Sequence, residues 1–195
     1  MKNQTGRSMV EMLGVLAIIA VLSVGGLIGY SKAMFQYKLN KQMQQYTELL
    51  ANMIRYDLPT NTNVAPIFKN LNLIPEGFKI KNNFLFDVFS LSVNVYYDNN
   101  FHKNLNISMN SENEKQIAIC SNIIKAAQPF YISMDHIGVC NESSDSCLWY
   151  WKDAGGRAEK ISKMTSKDIF ELCENCKTDN CRVYIALDYE NEQNL

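Results

Sequence analysis

The chain reads as an α+β protein: a long N-terminal helix packed on an antiparallel-sheet globular head that ends in a disulfide-rich C-terminal region. Three observations carry that expectation. Residues 12–30 form an apolar run that no charge interrupts and that Glu11 immediately precedes. From Ser31 to Asp57 apolar side chains recur every three or four positions, the period of a helix. Beyond them, short alternating segments rich in β-branched and aromatic residues are separated by Asn-rich turns, and all six cysteines lie from Cys120 onward.

The apolar run, Met12 to Tyr30, is about 19 residues long, enough at 1.5 Å per residue to cross the hydrocarbon core of a bilayer. A carboxylate at the centre of such a helix costs roughly 2.5 to 3.5 kcal/mol, and less near an interface, so Glu11 is a functional residue by default with a partner to be found. Arg7 lies four residues earlier, on the same helix face, and offers a partner within the chain. Gly25 and Gly29 have the small-xxx-small spacing that lets helix backbones approach closely in lipid, and Gly14 adds a third small position.

The second part of the helix carries its apolar stripe on Phe35, Leu39, Met43, Tyr46, Leu50, Met53 and Ile54. Leu58-Pro59 is the expected stop, because the residue before a proline is pushed out of helical backbone angles. A loop-rich connection from Thr60 to Asn83 follows, with a helical turn at Pro66 to Leu71 and a turn at Pro75-Glu76-Gly77. Leu91 to Tyr97 and Leu105 to Met109 form a hairpin around Asp98-Asn99-Asn100. Ser111-x-x-Glu114 has capping-box spacing for a helix running through Ala127 to Pro129. Strands are expected at Phe130 to Ile137, Leu148 to Lys152 and Val183 to Tyr189, with a short capped helix at Ser166 to Glu174.

Cys120, Cys140, Cys147, Cys173, Cys176 and Cys181 are even in number, which suits disulfides in an oxidising compartment. The short separation of Cys140 and Cys147 suggests a loop staple. Three pairings then remain among the other four, of which Cys120 with Cys173 and Cys176 with Cys181 is the expected one. Cys173-x-x-Cys176 could instead be a redox pair or half a zinc site. A reactive pair belongs at the start of a helix, and this one falls at the end of one; His102 and His136 stand apart from it. Asp145 and Asp179-Asn180 lack the spacing of a calcium loop. No metal or cofactor is expected. Nor does a nucleophile-base-acid set, phosphate loop or readable carboxylate pair appear, so an enzyme is not expected. With a formal charge of −1 and no basic stripe, nucleic acid is not an expected partner.

One resemblance joins these features. A short polar leader ending in Gly6, five residues closing on Glu11, a membrane-length apolar helix and Tyr30 at its end resemble the N-terminal signal of type IV pilins and of the pseudopilins of type II secretion. In that family the first mature residue is usually Phe, sometimes Met or Leu; here it is Arg7. The resemblance implies cleavage between Gly6 and Arg7 by a prepilin peptidase, methylation of the new amino terminus, and pairing of that amine with Glu11 of a neighbouring copy. It divides the chain into a leader (1–6), a transmembrane assembly helix (7–30), its amphipathic continuation (31–58) and a head (59–195) whose layout is most similar to type IVb major pilins. The partners it implies are copies of the chain in a filament, the peptidase, an inner-membrane assembly platform and, before assembly, lipid. The head would then lie in the periplasm of a bacterium, and after assembly on a filament surface. A pseudopilin or minor pilin is the nearest alternative; a membrane-anchored thiol or metal-binding protein is the alternative from another class.

Overall fold

The computed structural model describes residues 9–56, 64–97, 103–109, 115–142, 146–151, 161–177 and 180–188. It confirms a long N-terminal helix, an antiparallel seven-stranded sheet and three disulfides. Helix α1 (Met9–Arg55) is 47 residues long. The chain divides into two compact units at Lys38/Leu39, so the helix contributes to both.

In the first unit, α1 is apolar, and its described side chains from Glu11 to Met34 are all exposed. It is long and apolar enough to cross a membrane.

In the second unit the sheet runs β1 (Lys79–Lys81), β2 (Phe84–Phe86), β3 (Ser92–Tyr97), β4 (Lys103–Met109), β7 (Cys181–Leu187), β5 (Met134–Asn141), β6 (Ser146–Trp151), in that spatial order, and every pairing is antiparallel. Alternation decides the faces. Val93, Val95, Leu105, Ile107, Val183 and Ile185 are sealed from solvent on the inner face. The second half of α1 delivers Tyr46, Leu49, Leu50 and Met53 to the same core. Helix α3 (Gln116–Ala127) adds Ile119, Ile123 and Ile124, and Asn122 donates to the Leu39 carbonyl of α1 at 2.8 Å.

Four expectations need correction. The segment from Thr60 to Asn83 is not only loop: Lys79–Lys81 turns back into a strand at Phe84–Phe86 through Asn82-Asn83, both with positive φ (51° and 64°), the angles of a two-residue hairpin turn. Next, Phe130 to Ser133 is not strand. Pro129 cannot donate an amide, the chain tightens into a 3-10 segment (Gln128–Ser133), and extension starts at Met134. Third, α1 ends at Arg55, two residues short of the expected Asp57, while Leu58-Pro59 lies outside the described residues; the carbonyls at this end are bound from the sheet: Tyr97 Oη donates to those of Met53 and Tyr56 (3.4 and 3.0 Å), and buried Lys103 Nζ to those of Ile54 and Tyr56 (3.3 and 3.4 Å). A cation at this end also suits the helix dipole. Finally, the buried stripe of α1 is rotated toward Gln42 and Gln45, both sealed from solvent, while Leu39 and Met43 are only half-buried.

The other elements fall where expected. Helix α2 is Ala65–Asn70, with Pro66 in its first turn. The β3–β4 hairpin pairs Ser92 with Ser108 through Tyr97 with Lys103. Helix α4 (Ser166–Cys173) opens on a Thr165/Asp168 capping box. The turn at Asp98-Asn99-Asn100 lies outside the described residues, and so do Ser111 and Glu114; α3 nevertheless starts only at Gln116, after Lys115 and with no side-chain cap, so the capping box expected at Ser111 does not open it.

Candidate functional site

Two places in the molecule carry features that packing alone does not require. One is the exposed half of α1. Glu11 sits in its first turn, and a Cβ added at Gly14, Gly25, Gly26 or Gly29 would meet no atom within 4 Å. At about 100° per residue, Glu11, Gly14, Gly25 and Gly29 fall within an arc of about 60°, and Gly26 widens it to about 120°. Exposed Ile18 and Leu22 lie in the same arc. Sequence inspection singled these glycines out by spacing; their shared face with Glu11 follows once the helix is continuous. The arrangement offers a backbone-close groove beside an acid, suited to a second helix. Gly6 and Arg7 lie outside the described residues.

The other is a buried polar clamp in the head, which sequence reasoning missed. Asp87, 3 % exposed, follows β2 at the start of a turn in which Ser90 takes a positive φ of 64°. Its Oδ1 accepts from the Phe89 and Leu91 amides at 2.8 and 2.9 Å, which holds that turn. Oδ2 accepts from Gln42 Nε2 at 2.8 Å and from Tyr46 Oη at 3.3 Å, both on α1. Gln45 accepts from the Val88 amide at 3.2 Å and donates to the Glu76 carbonyl at 3.2 Å. Gln42 Oε1 in turn accepts from Asn122 at 3.0 Å. Burial pushes the Asp87 carboxyl above the usual carboxylate range, against the opposing pull of the hydrogen bonds from Gln42, Leu91, Phe89 and Tyr46. Burial, and then the Asp87 charge, hold the Tyr46 phenol well above its ordinary value. In the sequence these two glutamines read as part of the polar side of the helix; only the packed helix turns them inward, where buried amides need partners.

The six cysteines form three disulfides, Cys120–Cys173, Cys140–Cys147 and Cys176–Cys181, and no free thiol remains. The first ties α3 to α4, the second closes the β5–β6 hairpin between directly opposed residues, and the third anchors the start of β7. Cys173 and Cys176 thus belong to different bridges. His136 is half-buried on β5, with Nδ1 at 2.6 Å from Asp135 Oδ2. Among the described residues no group of three or more His, Cys, Asp and Glu is placed to hold a metal ion. His102, Asp145 and Asp179 lie outside the described residues.

Compared with known proteins, the chain matches no family model, no curated protein and no solved structure.

Proposed function

We propose that the chain is a prepilin, the structural subunit of a type IV pilus-like filament. A prepilin peptidase cuts it between Gly6 and Arg7, and the amine it frees can carry a methyl group. The apolar half of α1 holds the subunit in the inner membrane of a bacterium, with the head in the periplasm, until an assembly platform packs these helices into a filament core. Moving such a helix from lipid into a bundle gains little transfer free energy, so close packing at Gly14, Gly25 and Gly29 and the pairing of Glu11 with a neighbour's amino terminus decide assembly. A buried ion pair is better suited to fixing the stagger between subunits than to adding stability.

The single observation that carries this reading is the arc of α1 on which an acid and the glycines share one exposed apolar face. The head has its own core and three disulfides, and the residues of that face are exposed.

The test is intact mass and N-terminal sequencing of the protein from cells with and without the peptidase, together with filament counts for Glu11→Ala. A peptidase-dependent start at Arg7 and loss of filaments, with membrane insertion and cleavage intact, are expected. An uncut Met1, or normal filaments from the Glu11→Ala chain, would sink the proposal.

A further inference from the structure

The outer face of the head sheet is not an ordinary solvated surface. The helical contacts to β3 and β4 fall on the inner face, through Tyr97 and Lys103. The strand register sets out the residues of the other side. Asn94 stands opposite Asn106, Asn106 opposite Tyr184, Tyr184 opposite Gly138, and Gly138 opposite Trp149. The neighbouring rows add Tyr96 beside Asn104, and Ser108 beside Arg182. At the far edge, Lys79 and Lys81 pair with Phe86 and Phe84. Aromatic rings and amides thus alternate across the sheet where a solvated face would carry charges of both signs.

Three features of this face point to one ligand chemistry. The first is the posture of Trp149. A Cβ on Gly138 would run into the six-membered ring of the indole, so the ring lies over the bare backbone of β5 instead of standing off it. It is 37 % exposed, with the Tyr184 ring 5.5 Å away and tilted by 41° and His136 set edge-on at 5.2 Å. A ring laid along a sheet offers the broad apolar surface on which the C–H face of a sugar ring packs.

The second is the amide row. Asn side chains donate and accept at once, as sugar hydroxyls do. Asn94 and Asn106 are half-buried in this row, and Asn106 donates to Tyr96 Oη at 3.4 Å.

The third is charge. These rows carry Lys79, Lys81 and Arg182 and no acid, in a chain whose formal net charge is −1. Arg182 is held in place by Glu142, which flanks the face, and by its 3.0 Å hydrogen bond to Tyr184 Oη.

We propose that this outer face binds a carboxylate-bearing polysaccharide: sugar rings stack on Trp149 and Tyr184, hydroxyls meet the Asn94 and Asn106 amides, and carboxylates meet the lysines of β1. A single-stranded nucleic acid would share the stacking. It would place a phosphate at every residue, however, against three cations on a chain of pI 6.1. The proposal is independent of filament assembly, because the face belongs to the head alone.

The test uses the full chain in detergent micelles, titrated calorimetrically with an oligogalacturonate, a neutral dextran oligosaccharide and an oligothymidylate. Trp149, one of the chain's two tryptophans, lies on this face, so a change in its emission reports on it. Saturable binding of the oligogalacturonate with a change in that emission is expected. Trp149→Ala should weaken it at least tenfold and Trp149→Phe only a few-fold. Lys79→Gln with Lys81→Gln should weaken it several-fold and flatten its salt dependence, while Glu11→Ala leaves it unchanged. Absence of saturable binding overturns the proposal. So does equal affinity in a Trp149→Ala chain with unchanged circular dichroism, dextran bound as tightly as the oligogalacturonate, or the oligothymidylate bound more tightly than either.

Discussion

Along residues 11–34 of α1 every described side chain is exposed, Val21 at 72 % and Leu27 at 69 %, whereas between residues 42 and 53 of the same helix two glutamines are sealed from solvent. The two stretches obey different rules. In the first, apolar side chains face outward and no buried polar group needs a partner, which suits a surface met by lipid or by other helices. In the second, polar groups are inward and each of Gln42, Gln45 and Tyr46 has a named partner in the head. Substitutions in the two stretches should therefore separate cleanly: the first changes assembly and not head stability, the second the reverse.

The largest effect expected in the head comes from its longest covalent loop. Cys120 and Cys173 are 53 residues apart. Replacing both with Ala should lower stability by about 4 kcal/mol on the chain-entropy account. The same change at Cys140 and Cys147, separated by 7, should cost about 2.5 kcal/mol. Urea unfolding of the full chain in micelles measures both, and equal losses would show that loop length is not what these bridges act through.

The clamp comes next. Asp87→Ala leaves Gln42 Nε2, Tyr46 Oη and two backbone amides without their acceptor inside the core, and should destabilise the head by about 3 kcal/mol. Tyr97→Phe, which releases the α1 carbonyls from one donor, should cost about 1 kcal/mol. Glu11→Ala should leave the unfolding midpoint where it is. A drop with Glu11→Ala as large as that with Asp87→Ala would break the separation between the two stretches.

Much of this fold was legible because its signals are local. The apolar run, the 3.6-residue period, the Val/Tyr alternation of β3 and the proline at residue 66 each act within a few positions. An even count and one short spacing suggested Cys140–Cys147 and left three pairings of the other four cysteines open, of which the expected one formed. What escaped depended on distant residues. Nothing near Lys79 to Phe86 marks a strand except the Asn82-Asn83 pair. The carbonyls at the end of α1 are bound by Tyr97 and Lys103, more than forty positions away. Gln42 and Gln45 look like surface residues until Asp87 and the Val88 amide are brought to them. The glycine spacing on α1 was visible in the sequence, but which glycines share the face of Glu11 required an unbroken helix.

The smallest effect is also the sharpest test of the clamp. Asp87 holds its proton more tightly in the folded chain than in the unfolded one, since burial raises its pKa. Between the usual carboxylate value and that raised value the folded state therefore binds more protons than the unfolded state. Stability contributed by this group is fully present below the unfolded pKa and is lost as pH rises through the folded one. Acidification from neutral pH should therefore stabilise the head in that window, until other carboxylates begin to protonate. Asp87→Asn should flatten this slope. It keeps an oxygen for the Phe89 and Leu91 amides, but it sets an amide nitrogen against Gln42 Nε2, so the head should be less stable at every pH while losing the dependence. Unfolding midpoints of the two chains followed over pH 4 to 7 give the comparison. Parallel curves would mean that the Asp87 carboxyl does not titrate in this range, and the clamp would then be a permanently charged one.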